Sequence, residues 1–408
     1  MQVYLVGGAV RDGLLGLPIK ERDWVVVGGT REELLRRRYR EVGRDFPVFL
    51  HPDSHEEYAL ARLERKVAPG YRGFAVEFGP EVTLEEDLAR RDLTINAIAR
   101  ASDGTFVDPY GGRNDLQARV LRHVSQAFVE DPVRVLRVAR FAARFHGLGF
   151  RVAPETQDLM RSMVERHEVD SLVPERVWQE TEKALAETSA ATFFTVLRDC
   201  GALAVIYPEI DALFGVPQPA RWHPEIDTGV HTLLVLEQAV GLSDDTRVRF
   251  AALVHDLGKA QTPRSEWPSH RGHEERSVAL IEALAARLKL PGDYRDLAVI
   301  VARDHGIVHR AFELKPGTLL EFLERADAFR RPERLAQALL ACEADARGRT
   351  GMQAIAYPQR EHVLAAYRAA AGIKPSPGDI SGRSGIEIGR LVHQRRTEAI
   401  AALPARAG

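Results

Sequence analysis

Residues 1–27 read MQVYLVGGAVRDGLLGLPIKERDWVVV, and this stretch decides the fold of the first part of the chain. The apolar run Val3–Val6 is followed by Gly7-Gly8 and the helix-forming Ala9–Leu15, which predicts a strand, a glycine turn and a helix start. Such a turn exposes backbone N–H groups to a phosphate, and Arg11 can add a bidentate contact. A plain strand-to-helix connection with a solvated arginine is the alternative, because short glycine motifs are weak signals.

An acidic pair follows the glycine turn. Glu21 and Asp23 lie two positions apart at the start of the apolar run Trp24–Val27, where period-2 geometry directs both carboxylates to one face. Two adjacent carboxylates repel each other unless a cation lies between them. Mg²⁺ there would lower the pKa of an attacking 3′-hydroxyl and neutralise a triphosphate, as nucleotidyl transfer requires. An acidic surface turn is the alternative, and the preceding glycine turn favours the metal site.

A charged stretch further along the chain is predicted to form one helix over Glu86–Ala97, with an apolar opposite face. On this helix Arg91 is expected to grip a triphosphate or ribose. Asp92 and Asn96, one helical turn apart, are expected to lock the helix or bond a ribose hydroxyl. A solvated charged face is the alternative.

Arginines recur every three residues at Arg134, Arg137 and Arg140, so they share one side of a predicted helix. Like charges in this arrangement repel, which indicates an anionic or base-edge partner. Asp131 and Arg134 offer an acceptor beside a fork of donors. Cytosine and adenine both present an exocyclic amine next to an acceptor ring nitrogen, so this pair could read both bases and refuse uracil and guanine. One pocket could thus accept CTP and ATP without a nucleic-acid template.

The second half of the chain carries a histidine and aspartate set in a predicted helical region. His255-Asp256 follows His231 by one helix, and adjacent His and Asp side chains can ligate one divalent ion or bridge two. Imidazole suits Ni, Zn, Fe or Cu better than Mg. The further candidates are His273-Glu274-Glu275, Asp304-His305 and Asp345.

Composition places the 408-residue chain among ordinary soluble proteins, because 45% of its residues are hydrophobic and its net charge is −2. The net charge alone does not indicate a polyanionic partner. Two cysteines in no metal or redox spacing fit a reducing compartment, and no export signal or membrane span is expected. The cytoplasm is therefore the expected location.

Five motifs follow one another in the chain: Gly7–Asp12, Glu21 with Asp23, Arg90–Ala97, Asp108–Gly112 and Glu130–Phe141. In this order they resemble the motifs of the class II tRNA nucleotidyltransferases, the CCA-adding enzymes. The resemblance is closest to the bacterial subgroup with an HD domain after the head and neck, and it extends over almost the whole chain. It implies an α+β fold: a polymerase-beta-type nucleotidyltransferase head (a small mixed sheet with helices), then an all-helical neck, HD body and tail.

The resemblance also implies a domain division and a hinge at Asp108–Gly112. We expect the head at 1–125, a neck that recognises RNA and bases at 126–227, the HD phosphohydrolase domain at 228–330 and a helical tail at 331–408. Arg65, Lys66 and Tyr71 would lie in or near a flexible loop used when the enzyme switches from C to A addition.

The implied activity is addition and repair of the 3′-terminal CCA of tRNA from CTP and ATP, with release of diphosphate. Glu21 and Asp23 would bind Mg²⁺. The family usually has Asp-x-Asp, and the extra methylene of Glu21 moves its carboxylate by roughly 1.5 Å, so Asp23 is the firmer ligand. Nucleotide contacts would come from Gly8, Arg11, Arg91, Asp131, Arg134, Arg137 and Arg140.

For the HD domain the resemblance implies phosphatase, 2′-nucleotidase and 2′,3′-cyclic phosphodiesterase activities. A divalent transition metal, expected to be nickel, would support them. We expect no membrane association, no required protein partner, and a monomer or homodimer. The site would comprise His231, His255, Asp256, His273 and Asp345.

The sequence leaves three alternatives open. A bacterial poly(A) polymerase shares the head and neck motifs, although such enzymes usually lack an intact HD set and carry basic extensions. The chain could instead be an HD metal phosphohydrolase whose head merely senses nucleotide. A non-catalytic tRNA-binding protein would leave the carboxylates and the His-Asp set without purpose.

Overall fold

The computed structural model of the chain describes residues 1–42, 48–66 and 74–404, with the backbone alone at 64–66 and 74–76. These residues form two compact units, Met1–Ile206 and the chain from Tyr207 onward. Tyr71 and the side chains of Arg65 and Lys66 lie outside the described residues. The expected role of these three residues in a flexible loop therefore stays a prediction.

The first unit contains a mixed sheet and the helices that follow it. Its strands are β1 (Gln2–Val6), β2 (Asp23–Val27), β3 (Arg40–Val42), β4 (Val48–Leu50), β5 (Glu57–Leu60), β6 (Arg62–Lys66), β7 (Phe74–Phe78), β8 (Ala99–Ala101), β9 (Phe106–Val107), β10 (Val120–Leu121) and β11 (Arg151–Val152). Its helices are α1 (Gly8–Leu14), α2 (Arg31–Arg36), α3 (Leu84–Ala89), α4 (Gly112–Ala118), α5 (Val133–Phe145), α6 (Pro154–Glu165), α7 (Pro174–Leu185), α8 (Ala190–Asp199) and α9 (Ala202–Ile206).

Seven strands form the main sheet in the order β3-β4-β5-β2-β1-β8-β9. The pairing of β2 with β5 is parallel and the other pairings in this sheet are antiparallel. Apolar residues cover both of its faces: Leu88 of α3 packs with Val6 and Val25, and Leu34 of α2 packs with Val26 and Phe49. Burial of these side chains stabilises the sheet that carries the acidic pair.

The second unit is helical throughout the described residues. Its helices are α10 (Pro208–Asp211), α11 (Thr228–Leu242), α12 (Thr246–Val254), α13 (His273–Leu288), α14 (Gly292–His309), α15 (Pro316–Arg325), α16 (Pro332–Arg347), α17 (Pro358–Ala371), α18 (Pro377–Ile380) and α19 (Gly385–Ala401). Both α12 and α16 pack on α11 and α14 and on each other, α13 packs on α14, and α19 packs against α15 and α17. Proline stands at the first turn of five of these helices, where its missing N–H costs no hydrogen bond.

The α+β fold class is confirmed, with a mixed-sheet head followed by helices. The single helix predicted over Glu86–Ala97 is wrong. α3 ends at Ala89, and Leu93 adopts an extended conformation (φ −126°, ψ 144°) before a short 3-10 turn at Thr94–Asn96. The reason is tertiary, because Leu93 forms an antiparallel bridge with His123, which replaces intrahelical hydrogen bonds.

Candidate functional site

One cavity of about 1320 Å³ in the first unit is lined by all nine residues predicted to contact Mg²⁺ or the nucleotide. The fold therefore brings together residues that are up to 132 positions apart in the chain. Each assignment of a role to these residues stays a prediction. The nine residues are Gly8, Arg11, Glu21, Asp23, Arg91, Asp131, Arg134, Arg137 and Arg140.

The acidic side of this cavity is built on β2 and β5. Asp23 begins β2 and pairs in parallel register with Glu57 of β5, so both side chains lie on the same face of the sheet. Partial burial raises the pKa of Asp23, and the neighbouring charge of Glu21 adds to the rise while Arg91 opposes it. A divalent cation would relieve this repulsion, so the donor set fits a hard metal ion.

Glu57 also lines the cavity and is a third carboxylate that the sequence analysis did not single out. The only signal in the sequence is an acidic residue at the start of the strand Glu57–Leu60. Its relevance depends on the sheet order, because β5 is separated from β2 in the chain by two other strands.

The glycine turn gives the chain a close approach to Arg91. Gly7 has a φ of +66°, and a Cβ there would lie 3.1 Å from the Arg91 NH1 atom. Arg91 is held from the other side by Asp87, whose Oδ2 accepts a hydrogen bond from Arg91 NH2 at 3.1 Å. The turn thus places backbone N–H groups and a fixed guanidinium on one wall of the cavity.

Asp92 is the centre of a buried network that orients the arginines. It accepts hydrogen bonds from Arg137 Nε at 2.7 Å, from Asn96 Nδ2 at 2.8 Å and from the backbone N–H of Leu93 at 2.8 Å. Arg11 NH1 donates to Asn96 Oδ1 at 2.5 Å. Burial tends to raise the pKa of Asp92, but Arg137 and these donors outweigh it and hold the pKa well below its usual value.

The predicted base readers are held by partners that the sequence did not indicate. Asp131 Oδ1 and Oδ2 accept hydrogen bonds from Arg176 NH1 and NH2 at 3.1 and 2.8 Å. Arg134 donates to the carbonyls of Ala127 and Arg90, both at 2.6 Å, which fixes the plane of its guanidinium. Arg176 lines the same cavity, and its position near the start of α7 gave no local signal of this role.

Aromatic rings support the remaining arginines. The guanidinium of Arg140 lies 4.5 Å from the ring centroid of Phe141, and that of Arg11 lies 5.0 Å from it. Arg140 Nε also donates to Glu180 Oε2 at 2.6 Å. Several like charges remain close together because cation–π contacts and acidic partners compensate their repulsion.

The second constellation lies in the helical unit and is almost completely buried. His255, His273 and His305 direct Nδ1 to main-chain carbonyls three or four residues earlier, at distances of 2.8 to 3.1 Å. A ring nitrogen that donates to the backbone fixes the tautomer, so Nε2 presents its lone pair to the centre of the cluster. Histidine ligands of metals are commonly oriented in this way.

Two aspartates connect the histidines. Asp256 Oδ2 lies 3.1 Å from His255 Nε2, and its Oδ1 lies 3.1 Å from His273 Nε2 and 3.8 Å from His305 Nε2. Asp345 Oδ1 lies 3.1 Å from His231 Nε2 and 3.6 Å from His255 Nε2. The five residues predicted for the HD site therefore meet in space, together with His305.

The donor set of this cluster fits a divalent transition metal. Within the described part of the chain, His255 Nε2 and Asp256 Oδ1 are buried and make no hydrogen bond of acceptable geometry. Burial lowers the pKa of His255, but Asp256 and Asp345 outweigh it and raise the pKa to about 10. Such an electronegative centre favours a cation, and mixed imidazole and carboxylate ligands suit transition metals.

The surroundings of the cluster include side chains to which the sequence analysis assigned no role. Glu225 Oε1 lies 2.9 Å from His231 Nδ1, and His309 Nε2 lies 2.6 Å from Asp345 Oδ2. The ammonium of Lys259 lies 2.6 Å from Asp256 Oδ2. The pKa of Glu225 falls to about 2, because contacts with His231 and the backbone outweigh the effect of burial. No periodicity marks these residues, which come from separate helices and loops.

Two other candidates from the sequence have different surroundings. Asp304 turns away from the histidines and accepts a hydrogen bond from Arg325 NH2 at 2.8 Å. Glu274 lies beside His273, with its Oε2 3.3 Å from Nδ1.

No helix among the described residues combines the length and the apolar character needed to cross a membrane.

Three family models match the chain in order. Residues 3–122 match the poly A polymerase head domain, residues 149–214 match the probable RNA and SrmB-binding site of polymerase A, and residues 228–347 match the HD domain. The HD match includes His231, His255, Asp256, His273 and Asp345. The exact division of the chain into four domains stays a prediction.

Curated relatives match over their whole length. The multifunctional CCA protein of Thioalkalivibrio sulfidiphilus is 64% identical over 408 residues, which is 100% of both chains. The protein of the same description from Nitrosococcus oceani is 62% identical over 400 residues, or 98% of both chains.

Solved structures of similar fold share much less sequence. A CCA-adding enzyme in complex with CTP has a TM-score of 0.66 at 20% identity, over 99% of this chain and 88% of that one. The Thermotoga maritima CCA-adding enzyme complexed with tRNA has a TM-score of 0.61 at 19% identity, over 99% and 88%. At such identity the likeness concerns the fold.

Proposed function

Because this chain belongs to the bacterial CCA-adding tRNA nucleotidyltransferases that carry an HD domain, we propose that it completes and repairs the 3′-terminal CCA of tRNA from CTP and ATP without a template. The observation that carries this proposal is the single cavity in which the acidic pair, the glycine turn and the arginine row meet. In the reaction the 3′-hydroxyl of tRNA loses its proton to water, and its oxygen bonds to the α-phosphorus of the nucleotide. The bond from that phosphorus to the bridging oxygen breaks, and diphosphate leaves.

In this reaction the carboxylates of Glu21 and Asp23, with Glu57 beside them, would hold Mg²⁺. Bound there, Mg²⁺ would lower the pKa of the 3′-hydroxyl and offset the charge of the triphosphate. The backbone N–H groups after Gly7 and the guanidinium of Arg91 face the same space and would bind phosphate oxygens. Their fixed positions reduce the reorganisation needed to reach the transition state.

Selection of the base would rest on Asp131 and Arg134. Asp131 would accept the exocyclic amine of cytosine or adenine while Arg134 donates to the neighbouring ring nitrogen. Both side chains are immobilised by the partners described above, which suits a pocket that recognises an edge pattern instead of a template. Uracil and guanine would present a carbonyl oxygen to the carboxylate and be rejected.

The test is incorporation of CTP and ATP, offered separately and together, into tRNA that lacks its CCA end. We expect two C additions and then one A with the wild-type protein and Mg²⁺, and a loss of at least 100-fold with Asp23→Asn. Arg31→Lys, which changes an exposed side chain away from the cavity, is the control. A long tail made from ATP alone would indicate a poly(A) polymerase, and no extension at all would leave only the HD activity.

A second function is supported by the buried His-Asp cluster. We propose that the HD domain hydrolyses 2′,3′-cyclic phosphate, 2′-phosphate and phosphate ends, which would restore the 3′-hydroxyl needed for addition. Water adds to the phosphorus, one bond from phosphorus to a ribose oxygen breaks, and that oxygen takes a proton. The supporting observation is that His255 Nε2 and Asp256 Oδ1 face the centre without hydrogen-bond partners in the described residues.

His231, His255, Asp256 and Asp345 would hold the metal, which we propose to be nickel, and His273 would complete the site. The metal would supply Lewis-acid activation of water and phosphate. Lys259, 2.6 Å from Asp256, would offset negative charge on the phosphate. Glu225, whose Oε1 lies 2.9 Å from His231 Nδ1, would place negative charge beside that ring.

Hydrolysis of 2′,3′-cyclic AMP, measured with nickel, magnesium or chelator, tests this proposal. We expect nickel-dependent turnover in the wild type and its loss in His255→Ala, with CTP and ATP incorporation retained. His393→Ala, an exposed histidine in α19, is the matched control. Cyclic phosphate hydrolysis by a folded His255→Ala protein at the wild-type rate would disprove the role of the cluster.

We also propose that the protein acts in the cytoplasm as a monomer or homodimer and requires no protein partner. The location follows from the proposed substrates, since tRNA, CTP and ATP are cytoplasmic. Light scattering of the purified protein, with and without tRNA, would give the oligomeric state. An activity that depends on an added protein would contradict this part of the proposal.

A further inference from the structure

Residues of the loop that precedes α11, 212–227, contact the His-Asp cluster and its neighbours. Gln218 is 2% exposed, and its Oε1 accepts a hydrogen bond from Lys259 Nζ at 2.6 Å. Glu225 contacts His231, as described above. Backbone bonds close the loop, since the N–H of Gln218 donates to the carbonyl of Ile226 at 2.7 Å. The loop is therefore firmly built and belongs structurally to the cluster.

The same loop and the start of α11 also present apolar side chains to solvent. Trp222 is 53% exposed, whereas the other three tryptophans of the chain are buried or half-buried. Ile226 in the loop and Val230 in the first turn of α11 are 47% and 43% exposed. The guanidinium of Arg221 lies 4.7 Å from the ring centroid of Trp222. Exposed large apolar side chains in one short segment indicate a candidate binding surface.

The residue that follows Trp222 packs against the cluster. The ring centroid of His223 lies 4.6 Å from that of His231, and its Nδ1 lies 3.1 Å from Glu225 Oε1. Adjacent Cα atoms are about 3.8 Å apart, so the backbone of Trp222 is next to that of a residue in contact with the proposed metal site. A nucleotide bound at the cluster would therefore lie near the loop segment that carries Arg221 and Trp222.

We propose that Arg221 and Trp222 form a stacking platform for the terminal base of an RNA whose phosphate end is hydrolysed at the His-Asp cluster. Every base has a π face, so an aromatic platform accepts any terminal nucleotide. A platform that accepts any base suits RNA ends that are damaged at different nucleotides. Arg221 adds a positive charge for the phosphate backbone and a cation–π contact to the indole. The inference rests on the proposed hydrolase function of the same site.

The test compares a cyclic phosphate of a nucleoside with one that has no nucleoside. Adenosine 2′,3′-cyclic phosphate carries a ribose and a base, and glycerol 1,2-cyclic phosphate carries neither. With Trp222→Ala we expect kcat/KM to fall about tenfold for the adenosine compound, mainly through KM, and to stay unchanged for the glycerol compound. Trp222→Tyr keeps an aromatic ring and should stay within about threefold of the wild type on both. Incorporation of CTP and ATP should not change.

Other outcomes would overturn the inference. Equal losses on both substrates would mean that Trp222 only supports the loop, and no loss on either would remove it from the site. A dimer in the wild type that becomes a monomer in Trp222→Ala, with unchanged kinetics, would assign the surface to a second copy of the chain. If the wild-type protein hydrolyses neither substrate, the proposed hydrolase function fails, and the platform fails with it.

Discussion

Replacement of Arg176 by lysine tests how the base reader Asp131 is positioned. Arg176 bonds both carboxylate oxygens of Asp131, at 3.1 and 2.8 Å, with its two terminal nitrogens. A lysine ammonium is a compact charge and cannot reproduce this two-point contact. The variant keeps the positive charge near Asp131 but no longer fixes the orientation of its carboxylate. It therefore distinguishes the effect of carboxylate orientation from the effect of charge.

The magnitude follows from the loss of one charge-assisted hydrogen bond. Such a bond contributes about 1.5–3 kcal/mol. The side chains of Arg176 and Asp131 are 29% and 23% exposed, so solvent screening reduces this contribution to about 1–2 kcal/mol. Because about 1.4 kcal/mol corresponds to a factor of ten, we expect the ratio of kcat/KM for CTP over UTP to fall on the order of tenfold.

The assay measures single-nucleotide incorporation into tRNA lacking its CCA end, with CTP, ATP, UTP and GTP in separate reactions. Arg31→Lys is the control, because Arg31 makes a similar two-point contact with Glu41, at 2.6 and 3.0 Å, outside the cavity. It should leave all four rates unchanged.

Two results would refute the reasoning about Arg176. Unchanged discrimination between CTP and UTP in Arg176→Lys would show that the ion pair does not orient Asp131 for base reading. An equal fall for all four nucleotides would indicate a general loss of structure. Circular dichroism of both variants distinguishes the latter case from a defect in recognition.

Three further predictions concern the rest of the two sites. Asp92→Asn should destabilise the protein most above the usual aspartate pKa of about 3.9. The pKa of Asp92 is depressed in the folded protein, so the stabilisation by its carboxylate is lost as pH falls. Thermal unfolding from pH 5 to 3 should show the difference in unfolding free energy between wild type and variant shrinking by about 1.4 kcal/mol per pH unit below about pH 3.9. Gly258→Ala should impair cyclic phosphate hydrolysis and lower the free energy of unfolding, measured with denaturant, by about 1–3 kcal/mol. The reason is that the new Cβ would lie 2.2 Å from the carbonyl oxygen of His273. Gly241→Ala is the control and should have little effect, because the space around Gly241 is open. Glu57→Gln should lower kcat for CTP incorporation at least tenfold and raise the Mg²⁺ concentration needed for half-maximal rate; an unchanged magnesium dependence would exclude Glu57 from the metal site.

The local patterns in the sequence were sufficient for the elements that carry the first site. The apolar run before Gly7-Gly8 became β1 and α1, and the three-residue spacing of arginines became one side of α5 (Val133–Phe145). These elements form because period-2 and period-3.6 patterns are local properties that burial on one face then stabilises. The same patterns failed at Asp92, where a bridge between Leu93 and His123 interrupts the predicted helix.

The residues of the HD cluster were predicted from family motifs and not from these local patterns. Spacing alone did not indicate that His255, Asp256 and Asp345 meet, because Asp345 is on α16 (Pro332–Arg347), far along the chain. Their meeting depends on the packing of α16 against α11 and α12. The orientation of His255, His273 and His305 depends on main-chain carbonyls, which no residue type specifies.

The sequence by itself determined the fold class and the family, because its ordered motifs resemble those of known relatives, and the same resemblance named the residues that the structure brings together in the two sites. Only the tertiary structure decided which partners hold those residues. Glu57 joins Asp23 through the parallel pairing of β5 with β2, and Arg176 joins Asp131 through the approach of α7 to the start of α5. Such contacts arise between segments that are distant in the chain, and their free energy depends on burial and geometry that a linear pattern does not contain.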